Sequence, residues 1–159
     1  MSDISSTFPG GLFKNVRVIS LSDNFCLFEH KIYDRITRSF PFLTDLTVSN
    51  YKTRNSRSSH ETSKNNQMSS VTIFSYLTHL VIIFGNIDNA EQLLVDTNTL
   101  LPRRIDLKIS YSNLQQVIEN FTREATRHNC AKIKHLHFNS TPLVHCKDFY
   151  LYFHCYKES

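Results

Sequence analysis

Histidine and cysteine are the side chains here best suited to chemistry, and they gather in the C-terminal third as His128, Cys130, His135, His137, His145, Cys146, His154 and Cys155. Zinc needs three or four such ligands converging tetrahedrally, and His135 and His137, two apart, point to one face of an extended strand. Against this, the His-Cys dipeptides at 145 and 154 send adjacent side chains to opposite sides of an extended chain. Cys26 stands far from the others, and no close Cys-x-x-Cys pair occurs. A zinc-binding domain or metal-dependent enzyme using these C-terminal residues is one reading. The spacing favours surface histidines and reduced, buried thiols, with no metal site and no cofactor. Other catalytic patterns are missing from the sequence: no Gly-x-Ser-x-Gly elbow, no glycine-rich phosphate loop, no His-Glu-x-x-His helix. Only three glycines are present, where close backbone approach to phosphate wants residues without a Cβ. Asp88, Glu91 and Asp96 sit at or near a predicted helix start, which suits capping and dipole roles. No catalytic residue is assigned, and the chain is expected not to be an enzyme.

The formal charge of +4 invites a nucleic-acid reading, so its location matters. Lys52, Arg54, Arg57 and Lys64 face only Glu61 between residues 51 and 70, while the remainder is nearly neutral. That stretch is rich in Ser, Asn, Lys and Arg, too polar to offset its ordering entropy, and is expected to be a disordered insertion. Nucleic-acid binding through this basic loop is a further alternative, although phosphate contacts usually need cations placed on a fold. No apolar run is long enough to cross a bilayer, and MSDISSTFPGG lacks a basic region followed by an apolar core. The expected setting is intracellular, cytoplasmic or nuclear, without membrane contact.

The elements that would position these side chains recur. Phe13-Lys-Asn-Val16-Arg-Val18, Leu43-Thr-Asp-Leu46-Thr-Val48, Leu77-Thr-His-Leu80-Val-Ile82 and Ile133-Lys-His-Leu136-His-Phe138 share one pattern of apolar anchors. Pro102-Arg-Arg-Ile105-Asp-Leu107 keeps its last two, and the copies start roughly 30 residues apart. Helical periodicity lies between them. Ile32, Tyr33, Ile36 and Phe40 form one stripe; Asp88 and Glu91 have capping-box spacing ahead of Leu93, Leu94 and Val95. Ser112 and Gln115 likewise open a helix carrying Leu114, Val117, Ile118, Phe121 and Ala125, which Asn129 closes. Strand followed by helix, repeated without hairpins, demands parallel neighbours. A doubly wound sheet would bury both strand faces, whereas here polar residues alternate with the anchors, Val81-Ile82-Ile83-Phe84 excepted. The expected fold is α/β: a short leucine-rich-repeat solenoid with parallel strands on the concave side and helices on the convex side. Residues 1–140 would hold about five units and 141–159 a C-terminal cap or irregular tail.

The units FPFLTDLTVSN and YLTHLVIIFGN, with the later LPRRIDLKISYSNLQQVIENFTREATRHNCAKIKHLHF, resemble the ribonuclease-inhibitor-like leucine-rich repeats of F-box proteins, from about Phe13 to Phe138. The resemblance implies the substrate-recruiting arm of a cullin-type ubiquitin ligase, where a separate F-box contacts a Skp1-type adaptor. No F-box-like segment opening Leu-Pro-x-Glu is found, so a Skp1-type partner is expected only if a missing F-box exists. A truncated product or a free repeat array is the expectation.

Independently of that resemblance, the outward strand positions Arg17, Asp45, Thr47, His79, Val81, Arg104, Asp106, Lys108, His135 and His137 are expected to form a concave surface for another protein, selected by polar complementarity.

Overall fold

Anchors spaced like Leu43, Leu46 and Val48 ask for a turn that brings the first residue inward, then a strand whose alternate side chains face one way. The computed structural model describes residues 2–3, 11–23, 30–50, 70–83, 87–139 and 147–153. In chain order its elements are β1 (Ser2–Asp3), β2 (Val18–Asp23), α1 (His30–Ser39), β3 (Asp45–Asn50), β4 (Thr72–Ile73), β5 (His79–Ile83) and α2 (Ile87–Leu94). There follow β6 (Thr99–Leu100), β7 (Ile105–Ile109), α3 (Tyr111–Val117), α4 (Glu124–Cys130), β8 (Ile133–Phe138) and α5 (Lys147–Tyr152). The main sheet has the order β1-β2-β3-β5-β7-β8, every neighbouring pair parallel, so position in the sheet repeats position in the chain. β4 and β6 pair, also parallel, as a second small sheet. Parallel neighbours cannot be joined by tight hairpins, and α1 occupies the crossover from β2 to β3, α2 that from β5 to β7, and α3 and α4 that from β7 to β8. The result is a mixed α/β fold.

One sheet face supplies the core. Ile19, Leu21, Leu46, Val48, Leu80, Ile82, Leu107 and Leu136 are buried, in one cluster with Tyr33 and Ile36 of α1, Ala90 and Leu93 of α2, and Leu114 of α3. The α1 stripe expected from sequence is therefore in place. Within this core the Tyr33 hydroxyl donates to Asn89 Oδ1 at 3.2 Å, joining α1 to α2, and burial holds that phenol well above its usual range.

Several expectations need correction. Val18 was expected as an inward anchor, yet it is 48% exposed while Ile19 and Leu21 are at 0%. Register explains this, because Val18 lies opposite Asp45 and Ile19 opposite Leu46, and alternation then turns Val18 outward. Asp88, expected as a cap, lies inside α2. The single helix expected from Ser112 to Asn129 is two helices, α3 and α4, separated by a turn in which Glu119, Asn120 and Phe121 have φ of 49°, 54° and 68°. Asn tolerates left-handed backbone, but Glu and Phe disfavour it. Here it carries Phe121 to α5, where its ring meets Phe149 and Tyr152 edge-on at 5.5 and 5.8 Å. The α3 cap is Ser110, whose hydroxyl accepts from the Asn113 N–H at 3.2 Å, and Ser112 is inside the helix.

Asn129 does not close a helix; it is fully buried within α4. Its Nδ2 donates to the Leu94 and Thr99 carbonyls at 3.1 and 2.7 Å, and its Oδ1 accepts from the Leu101 N–H at 3.1 Å. A strand as short as β6 leaves backbone groups to satisfy, and this amide satisfies three.

The expected insertion at 51–70 lies outside the described residues except for Ser70. From the 141–159 tail, Phe149 and Tyr152 of α5 and Phe153 just after it are buried in the same core cluster, and the Tyr152 hydroxyl donates to the Arg123 carbonyl at 2.7 Å.

Candidate interaction surface

Strands paired in register bring every second side chain into rows across the sheet. On the face away from the core, the row nearest the strand starts runs Val18, Asp45, His79, Asp106, His135. The next row runs Ser20, Thr47, Val81, Lys108, His137. Eight of the ten residues expected from sequence stand in these two rows.

The first row is an acid–imidazole chain. His79 Nδ1 lies 3.1 Å from Asp45 Oδ1, and its Nε2 lies 3.8 Å from Asp106 Oδ2. His135 Nδ1 lies 2.8 Å from Asp106 Oδ1. An ionised carboxylate only accepts, so Nδ1 of His135 is the donor in this contact. The residues before Asp45 and His79 each add a hydroxyl. Thr44 Oγ1 is 2.6 Å from Asp45 Oδ2 and 3.1 Å from the Arg17 carbonyl; its single proton favours the shorter contact, to the charged group. Thr78 Oγ1 donates to the Thr44 carbonyl at 3.1 Å and lies 2.9 Å from His79 Nδ1, from which it can accept. These threonines were not singled out as site residues, although the repeated Leu-Thr-Asp-Leu and Leu-Thr-His-Leu carried the signal.

The second row has no such pairing. Lys108 and His137 are exposed side by side, with Val81 half-buried on the other side of Lys108. Between Ile105 and Asp106 the register with β8 shifts, which leaves Lys134 as an extra exposed cation at this end. Among the described residues, neither Lys108 nor Lys134 has an ion-pair partner.

Arg17 and Arg104 are not in the rows. Arg17 precedes β2; its guanidinium sits 5.0 Å from the Phe42 ring centroid and donates to the Phe42 carbonyl at 3.0 Å. Phe42 in turn meets Tyr76 at 5.4 Å with the rings tilted by 53°, so these three form a chain of contacts along the turns. Arg104 precedes β7 with φ of 66°, its N–H donating to the Lys132 carbonyl at 3.0 Å. That left-handed residue ends the turn from Pro102 and lets Ile105 enter the core.

His135 and His137 share a face as expected, their ring centroids 6.5 Å apart. Among the described residues no group of three or more His, Cys, Asp or Glu comes together as a metal site. His145, Cys146, His154 and Cys155 lie outside the described residues. Cys130 is buried, and burial pushes its thiol up to about 12, which keeps it from acting as a nucleophile near neutrality. No helix among the described residues is long and apolar enough to cross a membrane. Neither a family model, nor a curated protein, nor a solved structure matches this chain.

Proposed function

We propose that the chain is a short leucine-rich-repeat-type solenoid whose open sheet face binds another protein, serving as the substrate-recruiting part of an F-box-type ubiquitin ligase adaptor. A unit of one strand and one crossover cannot cover its own apolar side, and stacking such units leaves the strands' other side free for a partner. Strand order that follows chain order and helices that share one core with the inward strand residues support the repeat reading. The observation that carries the binding role is the pair of continuous rows from β2 to β8, partly fixed by hydrogen bonds before any partner arrives. Preorganised polar groups lose less entropy on association and reject mismatched partners. Contact with a Skp1-type adaptor would belong to an F-box segment and not to this face.

A photo-crosslinking amino acid at Val81 tests the reading against the same group at Gln116, an exposed position on α3. In cells the Val81 probe is expected to give a discrete adduct, competed away by excess wild-type chain but not by a Thr47→Arg, Val81→Arg variant. Adducts of equal yield from Gln116, or competition by the variant, would count against the open face.

A further inference from the structure

The two rows differ in how their charges are spent, and the difference bears on the kind of protein segment the face accepts. Both carboxylates of the first row already have imidazole neighbours, Asp45 with His79 and Asp106 with His135. Lys108, His137 and Lys134 have no carboxylate beside them among the described residues, so the β7–β8 end of the face is basic. Next to this end the face turns aliphatic at Val81 and Ile83, both half-buried. We infer that the open face takes a polypeptide segment that sets an aliphatic side chain on Val81 and Ile83 and a carboxylate, Asp or Glu, against Lys108 and His137. The inference rests on the open-face reading above and names the ligand class of that same surface.

The alternative anion, a nucleic-acid strand, fits poorly. Single-strand binders combine a continuous cationic track with aromatic platforms for the bases. The two rows contain no aromatic side chain other than the histidines, and Asp45 and Asp106 lie only about 7 Å from the second row, two strand residues away. A phosphate chain crossing the rows would meet them. A carboxylate on a flexible side chain reaches Lys108 without that encounter.

The test uses the ¹⁵N-labelled full chain and four probes. Three are 12-residue Gly/Ser peptides with a central Val flanked by Glu, by Lys or by Ser; the fourth is a 12-nucleotide poly-dT. The Glu-flanked peptide is expected to shift the amides of Val81, Lys108 and His137. Its affinity should fall with added salt and drop about tenfold in Lys108→Glu or His137→Glu, while Lys108→Arg retains it. Because Lys108 and His137 are exposed, these variants keep the fold, which the unperturbed amides of β2 and β3 report. Equal shifts from the Lys- or Ser-flanked peptide would overturn the acidic preference yet leave the open face as the binding surface. Tighter binding of poly-dT at the same amides would overturn the choice of polypeptide. No shift from any peptide at millimolar concentration would overturn the inference, and the Val81 crosslink then decides separately whether the open-face reading falls too.

Discussion

Replacing Asn129 by Ala removes a side chain that serves both the end of α2 and the β6 segment. Three hydrogen bonds are lost at once, to the carbonyls of Leu94 and Thr99 and from the N–H of Leu101. At a net ~1 kcal/mol each they account for ~3 kcal/mol, and the orphaned backbone groups add to that because the site is fully buried. Against a total stability of order 5–15 kcal/mol this is a large fraction. Urea unfolding followed by far-UV circular dichroism should show the midpoint lowered by about 1.5 M at an unchanged slope of about 2 kcal/mol per M. Asn129→Asp sharpens the reasoning. A carboxylate can still accept from Leu101 but has nothing to donate to Leu94 and Thr99, so near neutrality it should be worse than Ala. Its protonated form regains a donor, which raises the folded-state pKa above the unfolded value of ~3.9. Stability is then fullest below that value and is lost as pH rises through the folded-state pKa, so the Asp variant should recover on acidification relative to Ala. A loss below ~1 kcal/mol for Ala, or an Asp variant that tracks Ala at every pH, would refute the account of the amide as the tie between these segments.

Ser110→Ala removes the α3 cap and should cost about 1 kcal/mol in the same urea assay, with Ser112→Ala near zero. Cys130 should resist iodoacetamide at pH 8 in the native chain and react once urea unfolds it, read from the peptide containing Cys130 by mass spectrometry. Above the unfolded thiol value of ~8.5 the unfolded chain loses this proton while the folded one keeps it to about 12. Stability contributed by Cys130 is thus present below ~8.5 and declines through that window, a decline that Cys130→Ala should lessen.

Much of this was legible because anchors repeat. Leu43-x-x-Leu46-x-Val48 and Leu77-x-x-Leu80-x-Ile82 specify a period-two strand after an inward turn, and those strands stand where the pattern puts them. Once two strands are aligned on their anchors, Asp45 and His79 must share a row, so most of the surface is legible in the sequence. Parity failed where the apolar run was ambiguous: Val16, Val18, Ile19 and Leu21 fit two frames, and only pairing with β3 selects the one that drops Arg17 from the face. Arg104 left the rows through a left-handed turn that no glycine announced. The two-residue strands β4 and β6 carry too few residues to show a period. Nor could spacing reveal that Asn129 serves backbone far away in sequence, since a helix-ending asparagine and a buried one look alike in a string of letters.

The sheet order has a mechanical consequence. Interstrand hydrogen bonds run along the line from β2 to β8, so a load applied between residues 18 and 135, which stand in one row, pulls on them end to end. Tension of that kind peels a sheet instead of shearing it. The chain would yield at low force in steps, each freeing one strand with its crossover, roughly 30 residues or about 100 Å of contour. A protein so built is compliant along its own axis and can be drawn out unit by unit, an advantage for any machine that must thread it.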